Sequence, residues 1–366
     1  MLDIEFPILA FSHCRDVVAA VSKAGGFGVL GATAHSPDRL DQDLAWIEDE
    51  TGGKPYGVDL LLPAKYIGSD DAHVDRAAVS ALLPPEHRQF IDDIMAKYEV
   101  PPMPEGESAG PGLTVAPNQT DPLLDVSFAH PIGLIASALG PPPPYLIERA
   151  KEENVAVAAL GGSPVHAERH AAAGADLIVA QGGEAGGHTG EIGTMVLIPE
   201  VVDRVAPVPV IAAGGIGGGR QMAAAMALGA EGVWTGSVWL TTAEAETDPV
   251  VKEKFLAATC SDTLRSRSLT GKPARMLRTS WTDEWERADT PAPLGMPLQS
   301  ALVAEAQARI HRTAHRRGSG AEDLDTYFVG QVVGSMNQVK SATQVVLDMV
   351  DEYIDSCERM RHLIGE

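Results

Sequence analysis

One histidine stands inside a glycine-rich stretch, Ala180-Gln181-Gly182-Gly183-Glu184-Ala185-Gly186-Gly187-His188-Thr189-Gly190, directly after the apolar run Asp176-Leu177-Ile178-Val179. Five glycines between Gly182 and Gly190 remove side chains where a flat or phosphorylated ligand needs close backbone approach, and they open backbone angles closed to other residues. His188 is the imidazole of that loop. With an ordinary pKa near 6.5 it is the natural proton acceptor at neutral pH, so the segment reads as a cofactor loop carrying a base. The competing reading is a flexible or structural loop whose histidine is incidental.

A second glycine-rich turn follows another strand-like run: Val208-Pro209-Val210-Ile211-Ala212-Ala213-Gly214-Gly215-Ile216-Gly217-Gly218-Gly219-Arg220, leading into a helical stretch. Such a turn offers amide donors at a helix N-terminus, which suits an anion. The next run ends in Trp234-Thr235-Gly236-Ser237, where a further loop adds amides and a hydroxyl. In β/α barrels the loops after strands seven and eight commonly hold phosphate, and these loops occupy that place, so Gly214, Gly215, Gly236 and Ser237 are assigned to a cofactor phosphate. The dinucleotide pattern G-x-G-x-x-G fails here, because from Gly215 and Gly217 the third glycine position falls on Arg220. No Gly-Lys-Ser or Gly-Lys-Thr closes a nucleotide-binding loop of the P-loop kind.

The elements that position these loops follow from the hydrophobic pattern. Eight short apolar runs, Phe6 to Ala10, Gly28 to Gly31, Tyr56 to Leu61, Ile132 to Ala136, Val155 to Leu160, Asp176 to Gln181, Val208 to Ala213 and Gly232 to Gly236, read as strands. Helical stretches follow most of them: Asp16 to Ala24, Pro37 to Asp49, Pro144 to Glu152, Ser163 to Ala173 and Arg220 to Leu228. Three of these end in Ala-Gly-Gly, Ala-Gly-Ala or Leu-Gly-Ala, with glycine where a helix C-terminus needs it. Near-continuous apolar strands are buried on both faces, so the expected fold is α/β, a (β/α)8 barrel, with an open doubly wound sheet as the rival.

Two regions break the repeat. Residues 63–128 read as an insertion after the third strand, helical over Ala72 to Leu82 and Pro84 to Tyr98 and irregular over Val100 to Pro117. From residue 241 the chain reads as a helical extension covering the substrate, ending in Ser341 to Leu363 with Val345, Val346, Met349, Val350 and Ile354 at helical spacing. The barrel is accordingly assigned to 1–62 and 129–240.

The 366 residues carry 45% hydrophobic content, enough for a large core, and a formal charge of -22. That field repels phosphate backbones and anionic lipid, so neither nucleic acid nor membrane is expected as a partner. Three scattered cysteines, Cys14, Cys260 and Cys357, suit neither a disulfide framework nor a zinc site, and no metal is expected; with no secretory signal pattern at the N-terminus, a cytoplasmic protein is. His166 and His170, four apart on one helix, read as a solvated outer face, and His311 and His315 as polar surface. Trp234 and Trp239 read as packing, while Trp281 and Trp285 either line a pocket or cap it. His13 and Cys14 lie where the first strand meets the top face, where either can contact substrate, although Cys14 reads first as a small buried cysteine.

On Phe6 to Gly31, Tyr56 to Leu61, Ile132 to Thr242, and above all Ala180 to Gly190 and Ile211 to Ser237, the chain resembles the nitronate monooxygenases, formerly 2-nitropropane dioxygenases, which are FMN-dependent (β/α)8 proteins. The resemblance makes His188 the catalytic base. It sets Gln181, Gly182, Gly186 and Gly187 against FMN, and puts the FMN phosphate on Gly214, Gly215, Gly236 and Ser237. It brings the Gly330-Gln331 pair back toward the flavin, and it implies flavin contacts from Ala10, Phe11, Ser12 and Asp59. Two departures stand out: Ala10-Phe11-Ser12-His13-Cys14 replaces a small-residue loop with Pro-Met, and Asp59 in Gly57-Val58-Asp59-Leu60 replaces an asparagine. A carboxylate there disfavours an anionic substrate unless it is paired or protonated. The implied reaction is oxidation of a nitronate, or another carbon acid, with O2 by a monomer or homodimer. The alternatives are an NAD(P)H-dependent enoyl-thioester or quinone reductase on the same flavin barrel, or a barrel that binds a phosphorylated metabolite without redox chemistry.

Overall fold

The computed structural model describes residues 1–62, 81–107, 117–138 and 140–365. The helix expected over Ala72 to Leu82 falls, but for its last two residues, outside the described residues. In chain order the strands are β1 (Ile8–Ser12), β2 (Phe27–Gly31), β3 (Tyr56–Leu60), β4 (Leu134–Ser137), β5 (Ala156–Gly161), β6 (Leu177–Gln181), β7 (Gly187–His188), β8 (Val210–Ala213), β9 (Gly232–Thr235), β10 (Thr263–Ser266) and β11 (Ala274–Leu277). All but β7, β10 and β11 form a closed parallel barrel, sealed by β9 against β1 with Leu9 beside Trp234. The eight barrel strands are those read from the sequence.

Both faces of each strand are apolar because each meets a different core. Leu9, Phe27, Val29, Leu134, Ala136, Ala158, Val179, Ile211 and Trp234 fill the barrel. Their alternate neighbours, among them Ile8, Ala10, Val58, Ile135, Ile178 and Val233, pack outward under the helices. The expected helix ends hold too: Gly25, Gly174 and Gly229 have φ of +96°, +96° and +100°, the left-handed region that glycine enters without strain.

Two wall helices were not foreseen. Pro117–Ala129 buries Leu123, Leu124 and Phe128 against Leu40 and Leu44 and so supports the wall before β4, where the sequence reads as the tail of an insertion. Thr194–Val205 forms around an internal Pro199 and buries Leu197, Ile198, Val201 and Val205. Its β-branched and proline content argues against a helix locally, and burial of that face overrides propensity.

The C-terminal region holds more than helices, since β10, β11 and β7 make a three-stranded antiparallel sheet. Trp281 and Trp285 are buried in a separate core with Leu302, Val303 and Ile310, joined by Ile91, Ile94 and Met95 of helix Pro85–Lys97. Helix Ala342–Leu363 lies against helix Gly219–Ala227 so closely that a Cβ on Gly219 would stand 2.1 Å from the Met349 carbonyl oxygen. Its Val345, Val346 and Met349 are buried there as expected, whereas Ile354 is exposed. Among the described residues no helix is long and apolar enough to cross a membrane.

Candidate active site

The site begins where β6 ends. Ala180 points outward into the wall, so by strand alternation Gln181 points into the barrel. The loop from Gly182 then lies on the turn after β8. A Cβ on Gly182 would stand 2.1 Å from Thr194 Oγ1, and one on Gly214 2.9 Å from the Gly182 carbonyl. Gly214 and Gly215 have φ of +100° and +70°, so both positions require glycine twice over, by conformation and by contact. Thr194 staples the two loops: its hydroxyl donates to Glu184 Oε2 (2.8 Å) and lies 2.9 Å from the Gly214 carbonyl oxygen. Its amide donates to the same carboxylate.

His188 lies in β7, paired across to Ala274 of β11. Its Nδ1 sits 3.3 Å from the Pro273 carbonyl oxygen, which can only accept, so Nδ1 carries the proton and Nε2 the free lone pair. The ring is solvent-exposed yet closely surrounded, as on the wall of a concave mouth. Burial pushes its pKa below the ordinary value, opposed by the Pro273 bond and assisted by Lys272. It is therefore neutral at pH 7. Two arginines hold the loop from the strands beneath: Arg275 donates twice to the Gly183 carbonyl (3.0 and 2.9 Å), and Arg265 donates to the Thr189 carbonyl at 3.1 Å.

The remaining assigned segments converge here as well. Gln331 donates its amide to the Glu184 carbonyl (2.9 Å), and Gly330 donates its amide to Ser237 Oγ (2.8 Å). Gly186 lies so close to this strap that a Cβ would stand 2.8 Å from Gly330 N. A Cβ on Gly217 would stand 3.7 Å from Val238 Cβ, which brings the turns after β8 and β9 together. Gly236 and Gly187 face open space.

At the opposite side of the mouth Phe11 stacks on Trp234 at 6.3 Å and 25°. Asp59 shares the inward parity of Gly57, because Tyr56, Val58 and Leu60 face outward. It is buried, and burial alone raises its pKa to about 8. A protonated Asp59 can present a neutral donor, which removes the expected conflict with an anionic substrate. Ser12 Oγ accepts from the Cys14 amide (3.1 Å).

Several expectations are corrected. Ala10 is fully buried in the outer core, so its side chain cannot reach a ligand in the mouth. The first amide of helix Gly219–Ala227 donates to Glu352 (2.9 Å), so that helix end is capped by the protein. His170 is buried with Nε2 on the Leu160 carbonyl (3.0 Å), not solvated, whereas His311 and His315 are exposed as expected, His311 pairing with the fully buried Asp325 (2.7 Å). Sγ of Cys14 and carboxylates of Asp16 and Glu246 gather within 4.8 Å, yet burial raises the thiol pKa and Sγ donates to the Glu244 carbonyl. Glu184, Thr194, Arg265 and Arg275 had no signal beyond residue type, since their partners lie 10 to 92 residues away. A cleft of about 570 Å³, lined by Glu184, Gly214, Gly215, Leu228, Cys260 and Gln331 among others, lies beside the turn after β8.

The family profile described as nitronate monooxygenase matches residues 4–352. A Mycobacterium tuberculosis protein named "Putative monooxygenase" is 65% identical over 100% of this chain and 98% of its own length, and a Staphylococcus saprophyticus protein named "Probable nitronate monooxygenase" is 32% identical over 83% and 84%. Among solved structures, nitroalkane oxidase from Streptomyces ansochromogenes superposes with a TM-score of 0.79 at 25% identity, covering 98% of both chains. FabK from Thermotoga maritima superposes at 0.71 with 29% identity, covering 99% of this chain and 97% of that one. A profile match over residues 4–352 of a closed parallel barrel makes this chain an oxidoreductase of the nitronate monooxygenase family.

Proposed function

We propose that the protein is an FMN-dependent oxidase of nitroalkanes or similarly acidic carbon acids, with His188 as the base. The observation that carries the reading is the hydrogen bond from His188 to the Pro273 carbonyl, which fixes the tautomer with Nε2 unprotonated on a loop braced by two arginines. The residues present fit FMN. Among the described residues the amides of Gly215, Ile216 and Gly217 donate to no protein group, and Ser237 Oγ, which accepts from Gly330, keeps its own proton to donate. Glu184 stands against the Gly215 side of the turn, so the phosphate is better held from the Gly217 and Gly236–Ser237 side. Gln181, Gly182, Gly186, Gly187 and Gln331 would border the flavin ring, with Phe11 and Ser12 across the mouth.

The flavin, when bound, supplies electron acceptance and oxygen chemistry. The chain's task is the proton. A nitro group acidifies its neighbouring carbon, and His188 Nε2 takes that proton while Nδ1 stays on Pro273; the resulting imidazolium then faces the substrate anion. Protonated Asp59 adds no negative charge to the mouth. We place this activity in the cytoplasm, in a monomer or homodimer using O2.

The rival reading, an NAD(P)H-dependent reductase of enoyl thioesters or quinones, draws on the FabK likeness. Anaerobic mixing separates them. Bleaching of the bound flavin by a nitroalkane, with NADPH inert, supports the proposal; bleaching by NADPH alone overturns it. A purified protein that takes up no FMN would sink both.

A further inference from the structure

His13 has no role in the reading above, yet it sits at the rim. Its ring fills the space that a side chain at Gly31 would take: a Cβ there would stand 2.7 Å from both His13 Cε1 and Nδ1 and 2.8 Å from Phe11 Cζ. Phe27, Val29 and Gly31 share one face of β2, and the first two fill the barrel, so the ring lies on the inner side of the wall. Nδ1 is 2.8 Å from the Gly31 carbonyl oxygen and donates to it, which leaves Nε2 as a free acceptor. The edge of the ring rests against Phe11 at 5.1 Å and 78°. His13 is solvent-exposed yet crowded, the same circumstance as His188, and burial lowers its pKa, against the Gly31 bond and with help from His35.

Asp59 is the register partner of Gly31 and points to the same side. Adjacent strands lie about 4.8 Å apart, so the Asp59 carboxyl emerges beside the place the His13 ring occupies. No ion pair joins the two, and the burial that keeps Asp59 protonated leaves it a donor where His13 is an acceptor. An acceptor and a donor side by side match a group that both gives and takes a hydrogen bond.

We propose that His13 and Asp59, set together across Gly31, form a polar subsite that binds a hydroxyl or carboxamide carried by the substrate away from its reacting carbon. The inference deepens the function proposed above and rests on it. It names the preferred substrates as hydroxylated or amide-bearing nitroalkanes. A site that bonds a hydroxyl disfavours the methyl analogue, because the buried Asp59 carboxyl is then left unpaired.

The test is a matched pair of near-isosteric ligands, 2-nitroethanol and 1-nitropropane. Binding is measured by anaerobic titration calorimetry on the FMN-loaded His188→Ala protein, in which proton abstraction is disabled. The proposal expects 2-nitroethanol to bind at least tenfold tighter, and the preference to fall within twofold of unity when His13→Phe is added, since phenylalanine keeps the ring packing and loses the acceptor. Asp59→Asn should keep the preference and Asp59→Leu should lose it. Circular dichroism and retained flavin absorbance establish that each variant is folded. Equal binding of the two ligands, or a preference that survives His13→Phe, overturns the subsite. Failure of both nitro compounds to bleach the flavin of the unmutated enzyme strikes instead at the oxidase reading, and the binding ratio still judges the subsite.

Discussion

The guanidinium of Arg275 donates to the Gly183 carbonyl oxygen from two nitrogens, Nε at 3.0 Å and Nη2 at 2.9 Å, and so ties the loop that carries His188 to a strand ninety-two residues later. A third nitrogen reaches Thr263 Oγ1 at 3.2 Å, fixing the fork in plane. The glycine-rich loop has few side chains to bury, so this clamp does for it what side-chain burial does elsewhere. Arg275→Met should therefore lower kcat by about tenfold while flavin content stays near normal, and Arg275→Lys should recover little, because an ammonium cannot reproduce the planar fork. Steady-state kinetics alongside the absorbance ratio of flavin to protein tests it; unaltered kcat in Arg275→Met removes the clamp from the argument.

His188→Gln should cut turnover of neutral nitroalkanes by about 10²- to 10⁴-fold, the usual contribution of a general base. Substrates supplied already ionised need no proton removed, so with nitronates the loss should stay under tenfold. Equal losses for both forms would mean that His188 binds and does not abstract.

Acidification should silence the enzyme through the same residue. Burial holds the His188 pKa below 6.5, so the imidazole is unprotonated at neutral pH and kcat/KM with nitroalkanes should fall only as pH drops below that value. A pH profile with its acid limb centred above 6.5 contradicts this assignment.

Asp59 predicts a dependence at the other end. Its pKa is raised to about 8 by burial, so the folded state favours the protonated form more than the unfolded chain does. The resulting stability is complete below the unfolded value near 3.8 and is lost progressively as pH rises to about 8. Asp59→Asn removes the ionisation, so its Tm should exceed that of the unmutated protein by several degrees at pH 8, and the difference should shrink steadily toward pH 4. A Tm difference that does not vary with pH would show that Asp59 is not the titrating group.

Gly214→Ala joins two faults, a φ of +100° and a Cβ 2.9 Å from the Gly182 carbonyl and 3.0 Å from its amide. Neither neighbour is a flexible side chain. The variant should purify with little or no flavin and melt several degrees lower, readable from its absorbance near 450 nm and a thermal scan. Gly236→Ala offers the contrast, because the added methyl meets nothing within 4 Å in the protein and can collide only with a bound ligand. It should fold normally and bind FMN more weakly.

What the sequence by itself determined is the barrel and the positions of the glycine-rich loops at its strand ends. Strand-length apolar runs ending in glycine, with helices between them, are local signals, and Gly25, Gly174 and Gly229 stop their helices in the conformation their neighbours demand. His188 and the turns at Gly214 and Gly236 are legible for the same reason, as each is one residue type in one short segment. Helix Thr194–Val205 escaped because Pro199 and its β-branched neighbours obscure a pattern that only burial enforces. The pairing of β7 with β11, the strap from Gly330 to Ser237, the arginine clamp and the His13 ring over Gly31 join residues 18 to 93 positions apart. Nothing in a local stretch encodes such a partner. The closed barrel decides it, by gathering the C-terminal ends of its strands on one rim and fixing which inward positions stand side by side.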